Sequence, residues 1–376
     1  MQEDSLFPVG RVAGPDDVVD REPFIDLIVH ELISGQSVMI AGPRRIGKTS
    51  VAYEILRRLE QKGCLTADMD LFFISSMEEF ATRLFAKIAE HRWGPFRVVE
   101  RTWKGFLDVL QNTMVRRHVG DLEIEVTLPL RRDAKPEAIL EAAFAMAESI
   151  AAKKGKRFVI LFDEFQDVDR LGGADLIRRL RSIFQRQQHC TYLFLGSRPT
   201  MLKTLFSNRR QAFYRFAVQN DLPPVPDAAW REYLVAKFSS VGMEITPAAL
   251  DLILNETGGH PYGVMQVANA AYVRATISGQ KLINAELVSI VLNGILRQLH
   301  DTYAEQWAEI TELKHLAEVA VAIAEGNRPY SIEMHRTQVS RSLDMLQRMA
   351  IIERTGRGEY RFVEPLFARW LLEQTR

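Results

Sequence analysis

The sequence has few cysteines, no long apolar run and no excess of charge of either sign. Its two cysteines, Cys64 and Cys190, lie far apart, with no CxxC motif and no cysteine–histidine cluster. This usage argues against a disulfide framework or a zinc site and predicts a reducing compartment. No apolar run approaches the roughly 18 residues that span a bilayer. Because the first ten residues also lack the apolar segment of a secretory signal, we expect a cytoplasmic protein without a membrane partner.

The balance of charge excludes a strongly basic coat for nucleic acid. Lysine plus arginine number 48, and aspartate plus glutamate number 48. Local basic patches stay open as an alternative. The composition, 47% hydrophobic and 26% charged, is that of an ordinary globular protein. At 376 residues the chain is too long for one compact core, so we expect two or three domains.

Short apolar runs alternate with amphipathic helical patterns in the first half of the chain. The runs at 37–41 (SVMIA), 158–162 (FVILF) and 191–195 (TYLFL) are typical of buried parallel strands. A helix is predicted over 175–187, between the second and third of these strands. The alternation predicts an α/β fold, a parallel sheet with helices on both faces. Residues 93–132 are treated as an insertion in this core, with a helix near 103–115 and a half-exposed strand over 122–128.

Helical periodicity replaces this alternation after the proline-rich turn at 222–226. We expect no further strands until the last part of the chain, and one helix over 285–308. That last part reads as three helices followed by two short strands, the order of a winged helix. The predicted domains are an α/β core at 1–225, an all-helical domain at 226–308 and a winged-helix domain at 309–376.

The segment GPRRIGKT matches the phosphate-loop pattern G-x-x-x-x-G-K-[ST]. A buried strand precedes it and an amphipathic helix follows, which is the context that this motif requires. Its backbone N–H groups and the helix N-terminus are suited to phosphate oxygens. We expect Lys48 to reach the β- and γ-phosphates and Thr49 to give its hydroxyl to Mg²⁺. The predicted nucleotide-binding residues of this segment are Gly42, Pro43, Arg44, Arg45, Ile46, Gly47, Lys48, Thr49 and Ser50.

Two carboxylates follow the second buried strand. Asp163 emerges at the carboxyl end of this strand, where open α/β sheets bind their ligands, and is predicted to hold Mg²⁺. Glu164 is the candidate catalytic base that polarises the attacking water. Ser197 follows the third strand and is predicted to hydrogen-bond the water or the γ-phosphate. A simple turn before Pro199 is the alternative for Ser197.

Arginines that could serve the nucleotide or a partner occur in two further segments. Arg215, in the segment NRRQAFYR, is the first candidate for an arginine finger, supplied to the γ-phosphate in cis or by a neighbouring subunit of a homo-oligomer. An ordinary solvated face is an equal alternative. In the winged-helix segment, outward-facing arginines favour contact with double-stranded DNA, whereas the intervening Asp344 favours docking to a protein. These arginines are Arg336, Arg341 and Arg348.

Taken together, these motifs resemble the archaeal-type ATPases of the STAND and AAA+ group, relatives of the origin-recognition ATPases. The matching segments are VDRE at 19–22, GPRRIGKT, LFDEFQ at 161–166, GS at 196–197, FYR at 213–215, GGHP at 258–261 and EPLF at 364–367. The resemblance implies an ATPase core, a helical lid and a C-terminal winged helix. It also implies that Asp20 and Arg21 lie near the adenine and that His260 and Pro261 contact the nucleotide from the lid. The family often has Gly-Arg after the tyrosine, whereas Tyr214 is followed directly by Arg215.

The sequence therefore predicts an enzyme that hydrolyses ATP with Mg²⁺, slowly in the absence of a partner. Hydrolysis is expected to switch the lid and the winged-helix domain between two arrangements, on DNA in one version of this hypothesis. The alternative is a weakly hydrolysing regulatory module that binds protein or DNA under the control of the nucleotide.

Overall fold

The computed structural model describes residues 6–93, 135–197, 199–356 and 358–375. The predicted helix near 103–115 and strand over 122–128 lie outside these residues. The described residues form two compact units, each treated separately below. The sheet unit comprises Pro23–Ala41 and Ala52–Asp221, and the helical unit comprises Met1–Glu22, Gly42–Val51 and Leu222–Arg376.

The sheet of the sheet unit is parallel, as predicted, and has five strands in the described residues. They run in the order β2-β3-β4-β1-β5. Every residue of β1, β3 and β4 is buried, which explains why these strands are continuous apolar runs in the sequence. The edge strand β5 was not predicted, because its four residues are polar at three positions. The strands are β1 (Val38–Ala41), β2 (Leu65–Asp70), β3 (Phe158–Asp163), β4 (Cys190–Gly196) and β5 (Val218–Asp221).

Six helices lie in or extend into the described residues of this part of the chain, and aromatic rings fill much of the core between helices and sheet. The ring of Phe184 stacks on that of Tyr192 with centroids 3.8 Å apart. The helix predicted over 175–187 is α5, which begins earlier and has non-helical backbone at Gly172 and Gly173. The helices are α1 (Glu22–Ile33), α2 (Lys48–Gln61), α3 (Met77–Trp93), α4 (Pro136–Lys154), α5 (Val168–Phe184) and α6 (Pro199–Ser207).

The helical unit contains eight further helices in its described residues. The expectation of one helix over 285–308 was wrong, because the chain breaks at Leu299 into two helices. These helices are α7 (Asp227–Ser240), α8 (Pro247–Thr257), α9 (Pro261–Ser278), α10 (Ala285–Gln298), α11 (His300–Thr311), α12 (Lys314–Ala324), α13 (Arg336–Arg348) and α14 (Pro365–Thr375).

Two small sheets join these helices. The expectation that strands stop after the proline-rich turn was wrong, because β6 (Glu244–Ile245) pairs in parallel with β7 (Leu282–Ile283). Two residues are too few to give a strand pattern in the sequence. Near the C-terminus, β8 (Ile352–Gly356) and β9 (Glu359–Phe362) form an antiparallel hairpin. They follow α12, a short 3₁₀ helix (Pro329–Ser331) and α13, which is the predicted order of three helices and two strands.

One continuous apolar core links the lid and winged-helix segments of the helical unit. It extends from Trp230 in α7 to Leu371 in α14, and Phe7 of the N-terminal segment packs into it against Phe238 at 5.2 Å. The division of this part into separate lid and winged-helix domains stays a prediction. Among the described residues, no helix has the length and apolar character that crossing a membrane requires.

Candidate functional site

The phosphate loop has a tightly curled backbone. Lys48, the first residue of α2, is 5% exposed, and its Nζ donates to the carbonyl oxygen of Pro43 at 2.5 Å. A side chain at Gly42 would collide with Ile46, and Gly47 has φ 91°. The positive φ of Gly47 favours glycine there, whereas the end of the Ile46 side chain could shift to admit a Cβ at Gly42. The loop thus ends in a helix N-terminus, and the Lys48 side chain turns back toward the loop, a geometry suited to an anion.

Arg45 is held from two other segments of the helical unit. Its Nη1 lies 2.7 Å from Oε1 of Glu364, which directly precedes α14. Its guanidinium lies 4.6 Å from the ring centroid of Tyr262, in the first turn of α9. Both contacts are within the range of favourable charge and cation–π interactions. Sequence reasoning assigned Arg45 to the loop but did not find these partners.

His260 lies against the same loop. Burial lowers its pKa to about 4, and a hydrogen bond with the backbone of Arg44 opposes that shift. A hydrogen bond that raises a histidine pKa is one that the ring donates. The other ring nitrogen, Nε2, is buried and has no hydrogen-bond partner within the part of the chain that the structure describes. The neutral ring therefore presents an acceptor at Nε2, suited to a hydroxyl or amino group.

A cavity of about 760 Å³ opens beside the loop within the helical unit. Its lining combines loop residues, the turn between α8 and α9, and residues of β9 and α14. Arg21 is one of its polar groups: it is 3% exposed, and burial lowers its pKa to about 10. The lining includes Arg21, Pro43, Ile46, His260, Pro261 and Arg361.

The acidic end of β3 forms a hydrogen-bonded cluster in the sheet unit. Asp163 is 8% exposed, and its Oδ1 accepts from the backbone N–H of Glu164 at 2.9 Å. Oε2 of Glu164 accepts from the backbone N–H of Ser197 at 3.0 Å and from its hydroxyl at 2.8 Å. The structure thus brings together three predicted site residues. Ser197 hydrogen-bonds to Glu164, whereas the sequence predicted that it contacts the attacking water or the γ-phosphate.

Gln166 completes this cluster and was not singled out from the sequence as a site residue. It is 2% exposed, and its amide nitrogen donates to Oε2 of Glu164. A side chain at Gly196, the last residue of β4, would collide with Oε1 of Gln166. The glycine therefore admits the amide, and the spacing of Gln166 two residues after Glu164 was the signal available in the sequence.

Another carboxylate, on the neighbouring strand, lies beside Asp163. Asp70 ends β2 and pairs in register with Asp163, and burial raises its pKa. Asp68 accepts from the hydroxyl of Tyr53 at 2.9 Å and pairs with Lys87. Within the described residues, however, no group of three or more histidine, cysteine, aspartate or glutamate side chains is placed to hold a metal ion.

Arg215 lies on the side of the sheet where the strands begin. Together with Ser37 and Val218, at the beginning of β1 and β5, it lines a cavity of about 500 Å³. Glu164 follows the carboxyl end of β3. The amino ends of parallel strands lie on one side of a sheet and their carboxyl ends on the opposite side. The structure therefore does not bring Arg215 together with Glu164 and Ser197 in the same chain. Its backbone N–H donates to Phe206 at 3.0 Å.

Four of the predicted site residues have a left-handed backbone. In the described chain, five residues other than glycine have positive φ, namely Asp20, Arg45, Glu164, Arg215 and Ala350. Each such residue costs about 1–3 kcal/mol, and such strain is concentrated at functional sites. The conformation therefore supports a functional role for the first four.

The remaining predicted residues lie on exposed or supporting positions. Ser50 accepts a hydrogen bond from the backbone N–H of Ala13 at 3.0 Å, which attaches the N-terminal segment to α2. The basic side chains of α13 face solvent, as predicted, with Asp344 exposed between them. These side chains are Arg336, Arg341 and Arg348.

The parallel sheet core and the phosphate loop are those of a P-loop ATPase. The chain belongs to the family of ATPase domains found predominantly in Archaea, whose sequence pattern matches residues 18–267. No curated protein matches it.

Solved structures share this fold at low sequence identity. The Walker-type ATPase of Pyrococcus abyssi is 17% identical, with a TM-score of 0.69 and coverage of 98% of this chain and 99% of that one. The ORC2 protein of Aeropyrum pernix in ADPNP–ADP complexes is 16% identical, with a TM-score of 0.56 and coverage of 99% and 97%. The ORC1 protein of the same organism, in complex with DNA, is 16% identical, with a TM-score of 0.50 and coverage of 96% and 94%.

Proposed function

We propose that this protein binds Mg-ATP at residues 42–50 and hydrolyses the γ-phosphate with Glu164 as the base. The observation that carries the proposal is the carboxylate of Glu164, which Ser197 holds through two hydrogen bonds directly after Asp163. A base must be oriented toward the water that it polarises, and fixed donors on one oxygen leave the other available. Membership of an ATPase family supports the same activity.

Each group of residues has a distinct task in this proposal. Lys48 and the loop N–H groups bind the phosphates, while Thr49 and Asp163 hold Mg²⁺ directly or through water. One hydroxyl and one carboxylate suit Mg²⁺, which takes its other ligands from phosphate and water. Bound Mg²⁺ neutralises charge that develops on the phosphates. Ser197 and Gln166 keep Glu164 in place.

The nucleoside is proposed to enter the cavity beside the loop. Its mixed lining suits a base and a sugar, and its volume of about 760 Å³ is of the size typical of ligand pockets. His260 offers an acceptor to a ribose hydroxyl or an amino group, with Pro261 beside it. Asp20 and the buried Arg21 contribute from the N-terminal segment.

Turnover is proposed to be slow in a single chain and to drive a switch of the lid and winged-helix segments. Arg215 could reach a γ-phosphate only in another copy of the chain, because it lies at the amino ends of the strands and Glu164 follows the carboxyl end of β3. An arginine supplied in this way accelerates hydrolysis by about 10³- to 10⁵-fold in other P-loop enzymes. The rate should therefore rise with protein concentration if a homo-oligomer forms.

The experiment compares nucleotide binding and phosphate release by the purified full chain with Mg²⁺ and with a chelator. Lys48→Ala should weaken ATP binding about 10- to 100-fold, because it removes a charge-assisted hydrogen bond. Lys62→Ala, an exposed lysine after α2, is the matched control. Equal binding by Lys48→Ala and the wild type would refute the proposed site.

A second candidate function is nucleotide-controlled binding of duplex DNA. The exposed arginines of α13 favour it, and the ORC1 neighbour was solved with DNA. Arg341→Ala and Arg348→Ala should each lower the slope of log affinity against log salt by about one if each contacts a phosphate. Arg274→Ala, on an exposed part of α9, is the control. Unchanged DNA affinity in both variants would favour docking to a protein instead.

A further inference from the structure

We propose that Arg45 is a positioning residue that couples the phosphate loop to the winged-helix end of the chain through Glu364. The inference rests on the proposed function, because the coupling has an effect only if the loop binds a nucleotide. It goes beyond that function by naming the residues through which the loop and the winged-helix segment act on each other.

Arg45 has a backbone conformation that does not favour an arginine. Its φ of 64° is a conformation in which a side chain is unfavourable and glycine is not. Gly47, two residues later in the same loop, also has positive φ and is a glycine. A glycine at position 45 would fit the turn better. The arginine is therefore explained by its contacts and not by the turn.

Those contacts reach two segments that follow the loop by more than 200 residues. Glu364 lies 2.7 Å from Nη1 of Arg45, and the Tyr262 ring lies under the guanidinium at 4.6 Å. Glu364 has a second partner, because it hydrogen-bonds with the buried side chain of Tyr303. That hydrogen bond and the nearby carboxylate add to burial in raising the pKa of the tyrosine. The ion pair is thus one part of a network.

Backbone hydrogen bonds attach Glu364 and its neighbour Val363 to the winged-helix segment. The backbone carbonyl of Glu364 accepts from the N–H of Phe367 at 3.0 Å, in the first turn of α14. The preceding residue, Val363, donates its N–H to Ile351 at 2.9 Å, at the start of the hairpin. Phe367 and Trp370 are buried in the core of the helical unit. A displacement of the hairpin or of α14 therefore displaces the carboxylate that holds Arg45.

The turn between α8 and α9 meets the same point. A side chain built at Gly258 would lie 3.4 Å from Pro365, and His260 hydrogen-bonds with the backbone of Arg44. Consecutive loop residues are therefore held by the lid turn and by the winged-helix segment. Because coupling is reciprocal, nucleotide binding that reorients Arg45 must change the docking of Glu364, and loss of Glu364 must change nucleotide affinity.

A double-mutant cycle on nucleotide affinity tests the coupling. The dissociation constants of ADP and of a non-hydrolysable ATP analogue are measured for the wild type, Glu364→Gln, Arg45→Gly and the double variant. Glu364→Gln should weaken binding about 2- to 5-fold, the range for a partly exposed ion pair, because an unheld Arg45 must be ordered on binding. In the Arg45→Gly background the same change should have no effect.

Asp251→Asn is the matched control, since Asp251 forms a comparably exposed ion pair with Arg231 at 2.6 Å. It should leave the affinity unchanged in both backgrounds. An equal effect of Glu364→Gln with and without Arg45 would overturn the coupling. So would a lower unfolding temperature with unchanged affinity, which would indicate a purely structural role. If the wild type bound no nucleotide, the proposed function itself would fail; nucleotide binding with additive effects refutes the coupling alone.

Discussion

The acidic end of β3 and the phosphate loop are held in different ways. Around Glu164, the contacts are confined to the sheet unit and made by two buried residues: Ser197 and Gln166 both hydrogen-bond to one carboxylate oxygen. Around Arg45, the contacts are long in range, and its ion pair with Glu364 leaves the two side chains 50% and 36% exposed.

This difference separates two tasks. Buried hydrogen bonds to a charged group fix its geometry, whereas a partly exposed ion pair contributes only about 0–1 kcal/mol and exchanges readily. We therefore expect changes at the acidic strand end to affect the rate of hydrolysis, and changes around the loop to affect affinity and the response of the winged-helix segment. The following predictions are ordered by the size of the expected effect.

The largest effect should come from Glu164→Gln. Loss of the carboxylate removes the base but keeps the shape of the side chain, so turnover should fall about 10²- to 10⁴-fold. Nucleotide affinity should stay close to that of the wild type. Steady-state phosphate release and a separate binding titration check both parts, with Glu141→Gln, an exposed glutamate of α4, as the control. Unchanged turnover would remove Glu164 from its role and with it the contrast between the two regions.

The contribution of His260, which lies against the phosphate loop, to the free energy of unfolding should depend on pH. The folded pKa of His260 is lowered from 6.5 to about 4, so the unfolded chain binds this proton first as the pH falls. The contribution of His260 to the free energy of unfolding should therefore decrease from pH 6.5 to pH 4, by on the order of 2–3 kcal/mol in all.

Urea unfolding at pH 7 and at pH 5 measures this effect. His260→Gln should lose less stability between the two pH values than the wild type does. His30→Gln, a change at an exposed histidine of α1, should behave like the wild type. Identical losses for the wild type and His260→Gln would show that this ring is not buried against the loop.

Ser197→Ala should have a smaller effect than Glu164→Gln and the same character. It removes one of the hydrogen bonds that orient Glu164, so turnover should fall about tenfold while affinity changes little. Measurement of kcat and of nucleotide affinity separates this role from direct contact with the γ-phosphate. Weaker binding with unchanged turnover would support the direct contact that the sequence suggested.

Local patterns in the sequence were sufficient to predict most of the fold. The strands β1, β3 and β4 are buried throughout, so they appear as apolar runs, and the phosphate-loop pattern requires adjacent residues only. By contrast, β5 and the ladder of β6 with β7 depend on partners distant in the sequence. The helix break at Leu299 could not be predicted, because no glycine or proline marks it in the sequence.

The sequence predicted which residues belong to the candidate site, a prediction that stays open, but it did not predict their contacts. Glu164 and Ser197 were both selected, yet their hydrogen bond depends on the left-handed turn at Glu164 and on the close approach that Gly196 allows. The pair of Arg45 and Glu364 joins residues 319 positions apart, which no local pattern encodes. Arg215 was selected because arginines are frequent in its segment, and that frequency does not distinguish the amino ends of the strands from the carboxyl ends.

A structure of the full chain with Mg²⁺ and a non-hydrolysable ATP analogue tests the central claim most directly. The account predicts the triphosphate in the loop, with Mg²⁺ bound by the hydroxyl of Thr49 and the carboxylate of Asp163 within direct or single-water reach of the ion. A triphosphate bound elsewhere, or an ion beyond the reach of Asp163 through one water, would contradict it.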